Sequence, residues 1–192
     1  MDLLEDDPRW RRLHARKFKC ASCDGEHQGL MSWAFGWPYL WSGEPKIRSN
    51  RELRVDQSGL WEDFCIVDNQ HFFVRCVLRL PIRGSATETF ELGMWSSLSR
   101  ANFLIYVENF NRPDQWRLGP WFGWLSNQLA GYPDTLGLKC NVQPRDDRIR
   151  PTIELEPTGH PLGRQQREGI TFDEILDHYA AAGHDIRPAL VD

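Results

Sequence analysis

The stretch Phe64-Cys65-Ile66-Val67-Asp68-Asn69-Gln70-His71-Phe72-Phe73-Val74-Arg75-Cys76-Val77-Leu78-Arg79-Leu80 decides the fold class. Two runs rich in aromatic and β-branched residues flank a polar break at Asn69-Gln70, which reads as a β-hairpin. In the second arm Phe72, Val74, Cys76, Leu78 and Leu80 fall on one face, because side chains alternate along a strand. Arg75 and Arg79 fall on the other, so that face is at least partly wet. One greasy and one polar face describe an antiparallel sheet covered on one side.

The same alternation recurs along the chain. Phe90, Leu92 and Met94 show it; so do Leu136, Leu138, Cys140 and Val142, opposed by Lys139, Asn141 and Gln143. Ile153 and Leu155 follow, opposed by Thr152, Glu154 and Glu156. Two helices can supply the cover. Ser99 is placed to cap one carrying Phe103, Leu104, Val107 and Phe110 on a single stripe. Thr171 with Glu174 makes a capping box ahead of Phe172, Ile175, Leu176 and Tyr179, and Gly183 is the expected stop.

Outward from this core, residues 30–60 are rich in Trp, Gly, Pro and Ser without a sustained period, as expected of an irregular wrapping segment. Residues 1–17 read as a flexible, charged arm, although Trp10 and Leu13 have the spacing of a short helix. Residues 184–192 read as a tail. The expected organisation is therefore one α+β domain over 18–183, with a cysteine hairpin at 18–29 packed on the sheet.

That hairpin holds the clearest chemical signal. Cys20-Ala21-Ser22-Cys23, followed by His27, can turn two sulfurs and an imidazole toward one tetrahedral zinc ion. A fourth ligand must come from elsewhere. His160, in the turn Thr158-Gly159-His160-Pro161 just past a strand, is the preferred one, with Cys65 as substitute. Cys76, Cys140 and His71 are weaker candidates, since the first two fall on apolar faces where a free cysteine behaves as a small hydrophobe. Bystander thiols and a redox pair are the competing readings, but Asp24-Gly25 resembles a turn more than the helix start a redox pair prefers. If only three residues bind, the open position suits hydrolysis, with Glu26, Glu154 or Glu156 as base.

Composition sets the outer bounds. The 192 residues are 41% hydrophobic and 26% charged, a soluble globular balance. A net charge of -4 argues against a general nucleic-acid binder. The sequence has neither a recognisable export signal nor an apolar run long enough to span a bilayer. With five cysteines, an odd number, the expectation is a reducing, cytoplasmic setting and no membrane partner. Nine tryptophans suit both a core and a sticky surface. Phe122 and Trp124 are expected in the core, whereas Trp37, Tyr39 and Trp41 are candidates for a protein-binding patch.

Four stretches together resemble a family. They are Phe18-Lys19-Cys20-Ala21-Ser22-Cys23 with His27; Asp63–Asp68 running into His71-Phe72-Phe73-Val74-Arg75; Phe122-Gly123-Trp124-Leu125 with Tyr132-Pro133-Asp134-Thr135-Leu136; and Glu154-Leu155-Glu156-Pro157 with His160-Pro161-Leu162 and Glu168-Gly169-Ile170. The chain is similar over roughly 17–180 to the bacterial family known as domain of unknown function number 2199. That family has Gly after the second cysteine where this chain has Asp24, a residue that tolerates left-handed turns. The resemblance implies a metal site drawn from Cys20, Cys23, His27, Cys65 and His160, and no particular activity. The expected function is a zinc-stabilised, non-enzymatic module with a protein partner, in the manner of an immunity protein that neutralises a toxin. A zinc-dependent hydrolase is the alternative.

Overall fold

The hairpin that opened the sequence reading is the centre of the sheet. The computed structural model describes residues 4–20, 22–23, 25–146 and 149–191. In chain order the elements are α1 (Pro8–Ala15), β1 (Phe18–Lys19), β2 (Glu26–His27), β3 (Trp33–Ala34), β4 (Gly59–Leu60), β5 (Phe64–Val67), β6 (His71–Pro81) and β7 (Thr89–Leu98). There follow α2 (Arg100–Asn109), β8 (Trp121–Trp124), β9 (Lys139–Gln143), β10 (Thr152–Leu155), α3 (Pro161–Glu168) and α4 (Phe172–Ala181). The fold is α+β. Among the described residues, no helix is long and apolar enough to cross a membrane.

The β5–β6 turn sits one residue earlier than the polar break suggested. Asp68 and Asn69 both take φ of 52°, and the Gln70 N–H donates to the Val67 carbonyl at 3.1 Å. Two consecutive left-handed residues match the twist of a tight hairpin, and Asp and Asn tolerate that conformation. Beyond the turn, Phe72, Val74, Cys76, Leu78 and Leu80 are all buried, with Arg79 exposed opposite them.

β6 is long enough to serve two partners on one edge: β5 pairs with its first half and β10 with its second. The order is β3-β7-β6-β10-β9-β8, and the sheet is mixed, because β10 runs parallel to β6 and β3 parallel to β7. Those parallel pairings join segments far apart in sequence, so local alternation carries no sign of them. The sheet also curls back on itself. Leu125, just past β8, bridges to Ser96 on β7, and the Ser126 N–H donates to the Trp95 carbonyl at 2.8 Å. Gly123 permits this approach; a Cβ there would lie 2.4 Å from both Ser96 Oγ and the Ser97 carbonyl.

α2 and α4 cover the apolar face as expected. Ser99 caps α2, and Phe103 and Tyr106 are buried, with Phe103 stacking edgewise on Phe64 at 5.6 Å. The Thr171–Glu174 capping box is complete. Phe172, Ile175, Leu176 and Tyr179 are buried behind it. The opposite face carries a smaller cluster of Leu60, Cys65, Val67, Phe73 and Trp95, over which Phe35 and Trp41 of the wrapping segment pack.

The N-terminal segment differs from the loose arm expected of it. Asp7 caps α1 by accepting the Arg9 N–H at 2.8 Å, and Pro8 opens the helix with its φ already set. Trp10 and Leu13 are buried, and Trp10 packs edgewise on Phe172 at 5.1 Å. Residues 184–191 are likewise docked, with Ile186 and Leu190 buried. In both cases an apolar pair on a short segment joins the main hydrophobic core, which outweighs the fraying expected of an end.

Candidate metal centre

β1 and β2 form a short antiparallel hairpin in which Phe18 faces His27 and Lys19 faces Glu26. The Cys20 N–H donates to the Gly25 carbonyl at 2.8 Å, closing the loop that carries Cys20 and Cys23. Asp24, the departure from the family pattern, lies outside the described residues. Gly25 sits close beneath the site: a Cβ there would be 3.3 Å from Cys23 Sγ and 3.6 Å from His27 Nε2.

The fourth member arrives from the other end of the chain. α4 ends in a turn at Gly183, whose φ of 78° suits glycine, and the His184 N–H donates back to the Tyr179 carbonyl at 2.7 Å. That turn throws the His184 imidazole onto the hairpin. One ligand atom from each of Cys20, Cys23, His27 and His184 lies within 4.8 Å of all the others. Cys23 Sγ is 3.1 Å from His27 Nε2 and 3.6 Å from His184 Nε2. Cys20 Sγ is 3.4 Å from His184 Nε2, and the two Nε2 atoms are 3.3 Å apart.

These separations can be compared with an ideal tetrahedron. Metal–sulfur bonds of about 2.3 Å and metal–nitrogen bonds of about 2.05 Å give S···N edges of about 3.6 Å and an N···N edge of about 3.4 Å. The four separations given above are within half an ångström of those values, and the four residues are close enough to hold one metal ion. Cys20 is buried while Cys23 is exposed, and both are free thiols. Burial alone pushes the Cys20 thiol up, yet the backbone N–H groups of Ser22 and Cys23 outweigh it and bring the pKa below its ordinary value. Ser22 N is 3.4 Å from Cys20 Sγ, a contact that favours a thiolate, the form in which cysteine binds a metal.

The structure thus unites Cys20, Cys23 and His27 and puts His184 where the sequence reading put His160. His160 caps α3 instead: its Nδ1 accepts the Leu162 N–H at 3.1 Å and its ring stacks beside Tyr132. His160 is not among the residues whose ligand atoms converge at the hairpin. Cys65 pairs with Phe73 inside the sheet, where burial pushes its thiol up to about 12. Cys76 and Cys140 are core residues, Cys140 raised to about 11 by burial. Glu26 is exposed and paired with Lys17 at 3.7 Å, while Glu154 is exposed on β10. His184 was legible only as the residue after the helix-stopping glycine, a place where the chain must turn back.

The aromatic segments also differ from expectation in part. Trp37 and Tyr39 are exposed, whereas Trp41 is half-buried against the smaller cluster. On β8, Trp121 points inward; Phe122 and Trp124 point out and stack edgewise at 5.0 Å. Shifting parity by one residue exchanges the faces of a strand. Here the parity is fixed by Gly123, which must face β7. Tyr39, Leu40 and Trp124 line one shallow groove, and Lys139 lies 5.9 Å over the Trp124 ring.

A curled α+β sheet with a Cys–Cys–His–His cluster joining its two chain ends is the class these features define. The chain belongs to the family described as an uncharacterized protein conserved in bacteria (DUF2199), whose model matches residues 19–170. Cys20, Cys23 and His27 lie inside the matched segment and His184 beyond it. No curated protein and no solved structure matches the chain.

Proposed function

We propose that the cluster binds zinc as a closed structural centre and that the protein is a non-enzymatic module that binds another protein. The observation that carries this reading is the count of ligands: four protein side chains converge on one point. Four ligands fill a tetrahedral ion and leave no position for a reacting water, whereas a hydrolytic zinc keeps one open. A donor set of two sulfurs and two nitrogens, without oxygen, favours zinc over magnesium or calcium.

The partner surface in this reading is the exposed set of Trp37, Tyr39, Phe122 and Trp124. Tryptophan and tyrosine supply most of the energetic anchors at protein interfaces. Within this class the finer proposal is an immunity role, the partner being a toxin held in a stoichiometric complex. Metal analysis of the purified protein should give one zinc per chain with no exchangeable bound water. Co-expression with the product of a neighbouring gene should relieve that product's toxicity, and Tyr39→Ala with Trp124→Ala should abolish the relief while the protein stays folded. An open zinc coordination shell would overturn the structural role. Undiminished relief by the double variant would overturn the surface assigned here.

A further inference from the structure

Between the C-terminal half of α4, strand β3 and the loop at 128–132 lies a cavity of about 340 Å³, separate from the metal cluster and from the outward aromatics of β8. Trp33, Phe35, Phe90, Tyr132 and Tyr179 are among the rings that line it. Among the described residues, no Asp, Glu, Lys or Arg lines it. A volume of this order, walled by aromatic rings, is that of a small-ligand site.

The tyrosine hydroxyls and the Gln128 amide on its wall are spoken for. Tyr179 Oη donates to the Met31 carbonyl at 2.8 Å, and the Tyr132 hydroxyl is bonded to Gln165. His178 is the exception. Its ring is stacked on Tyr132 at 4.2 Å, and its Nδ1 side faces the Ala130-Gly131 turn. Its Nε2 is buried just behind the lining and has no hydrogen-bond partner. Burial favours the neutral ring, so with the proton on Nδ1 the Nε2 lone pair is left as an unused acceptor.

We propose that this cavity binds a small, uncharged aromatic molecule of about ten non-hydrogen atoms carrying one N–H or O–H donor. The neutral lining rejects a charged headgroup, which would lose its hydration without compensation. The aromatic walls take a flat ring, and the donor completes His178 Nε2 through a small shift of the ring. No contact in this site depends on the metal or on the partner surface proposed above.

Indole, and benzothiophene as its isostere without the N–H, test the idea by titration into the purified full chain, followed by amide and indole N–H shifts. Indole should saturate with a dissociation constant on the order of 100 µM, moving the Trp33 and Ala182 signals. Benzothiophene should bind about tenfold more weakly. His178→Phe keeps the stacked ring but removes the acceptor, and should bring indole down to the level of benzothiophene. Ala182→Phe fills the cavity, and Ala130→Phe does so from an exposed loop where folding is not at risk; both should abolish binding of either probe. Absence of saturable binding at millimolar indole, or unchanged binding in both filled variants, overturns the site. Equal affinity for the two probes in the wild type overturns the role of His178.

Discussion

Replacing His184 with alanine separates the metal centre described here from the one the sequence suggested. His184 Nε2 and Cys20 Sγ approach one another across 164 residues of chain, so a shared metal ion closes a loop of that length. Treated as a cross-link, such a loop removes about 17 cal/mol/K from the unfolded ensemble, or about 5 kcal/mol at room temperature. The remaining ligands, Cys20, Cys23 and His27, are within one hairpin and close only a short loop, which yields much less. Cross-links commonly deliver less than the chain-entropy value, so about 5 kcal/mol is the ceiling. Even half of it would be a large part of the 5–15 kcal/mol typical of a domain's total stability.

The measurement is urea unfolding with and without a strong chelator, for wild type, His184→Ala and His160→Ala. Chelation should cost the wild type up to about 5 kcal/mol, or about 10–20 °C in melting temperature for a chain of this size. His184→Ala should be destabilised to a similar extent and respond little to further chelation. His160→Ala should lose about 1 kcal/mol, the usual worth of a helix cap, and keep its full chelator response and metal content. Metal content retained in His184→Ala but lost in His160→Ala would refute the assignment.

Three further outcomes follow from the packing. Trp121→Ala should cost about 3–5 kcal/mol and Trp124→Ala no more than about 1, measured by urea unfolding, because the first is buried against Tyr106 and the second faces outward. Glu174 is opposed by burial, which raises its pKa, but its bonds from the Thr171 backbone and the Gln165 and Thr171 side chains prevail and hold the folded value below the ordinary 4.5. Its stabilisation is therefore complete above pH 4.5 and lost as pH falls through the lower folded value, so Glu174→Gln should cost about 1 kcal/mol at pH 7 and nothing once both states are protonated, read from unfolding midpoints across pH. Under chelation, hydrogen exchange should accelerate at the Cys20 amide, bonded to Gly25, before it does at the Tyr39 amide, bonded to Ser126; equal acceleration at both would contradict the local anchoring of the site.

The parts legible in the sequence are those whose information is local. Alternation over β6, β7, β9 and β10 reports one buried face, and the Thr171–Glu174 box marks a helix start within four residues. Three of the four cluster residues lie within eight positions, so spacing alone suggested them. His184 is 157 residues from His27, and only the topology that brings α4 over the N-terminal hairpin makes them neighbours. A histidine after a helix-stopping glycine was the one signal present, and a domain boundary drawn at 183 passes just before it. The segment Trp121-Phe122-Gly123-Trp124 fails for a different reason: large aromatics on both faces give alternation no preferred parity, and the glycine that sets it does so through contact with a distant strand. For α1, Asp7-Pro8 was a legible start, since an acidic cap followed by proline favours helix; charge around it masked the two apolar residues that dock.

The segment from His27 to Tyr39 links these sites physically. It leaves the cluster at His27 and is held at Met31, whose N–H and carbonyl both bond the Tyr179 hydroxyl at 2.8 Å. It then pairs with β7 as β3, gives the Trp37 carbonyl to Asn127 at 2.9 Å, and ends at Tyr39, whose N–H donates to Ser126 at 2.7 Å. Asn127 in turn accepts the Trp95 N–H at 2.7 Å and is buried. A strap fastened at this many points cannot transmit loss of the metal far, because each fastening must break before the next is loaded. A metal in the cluster would therefore govern whether the N-terminal hairpin stays joined to the segment after α4, while the exposed Trp37 and Tyr39 are oriented by the sheet itself. In the function proposed above, that separation would let a closed zinc centre support stability without lying at the binding surface.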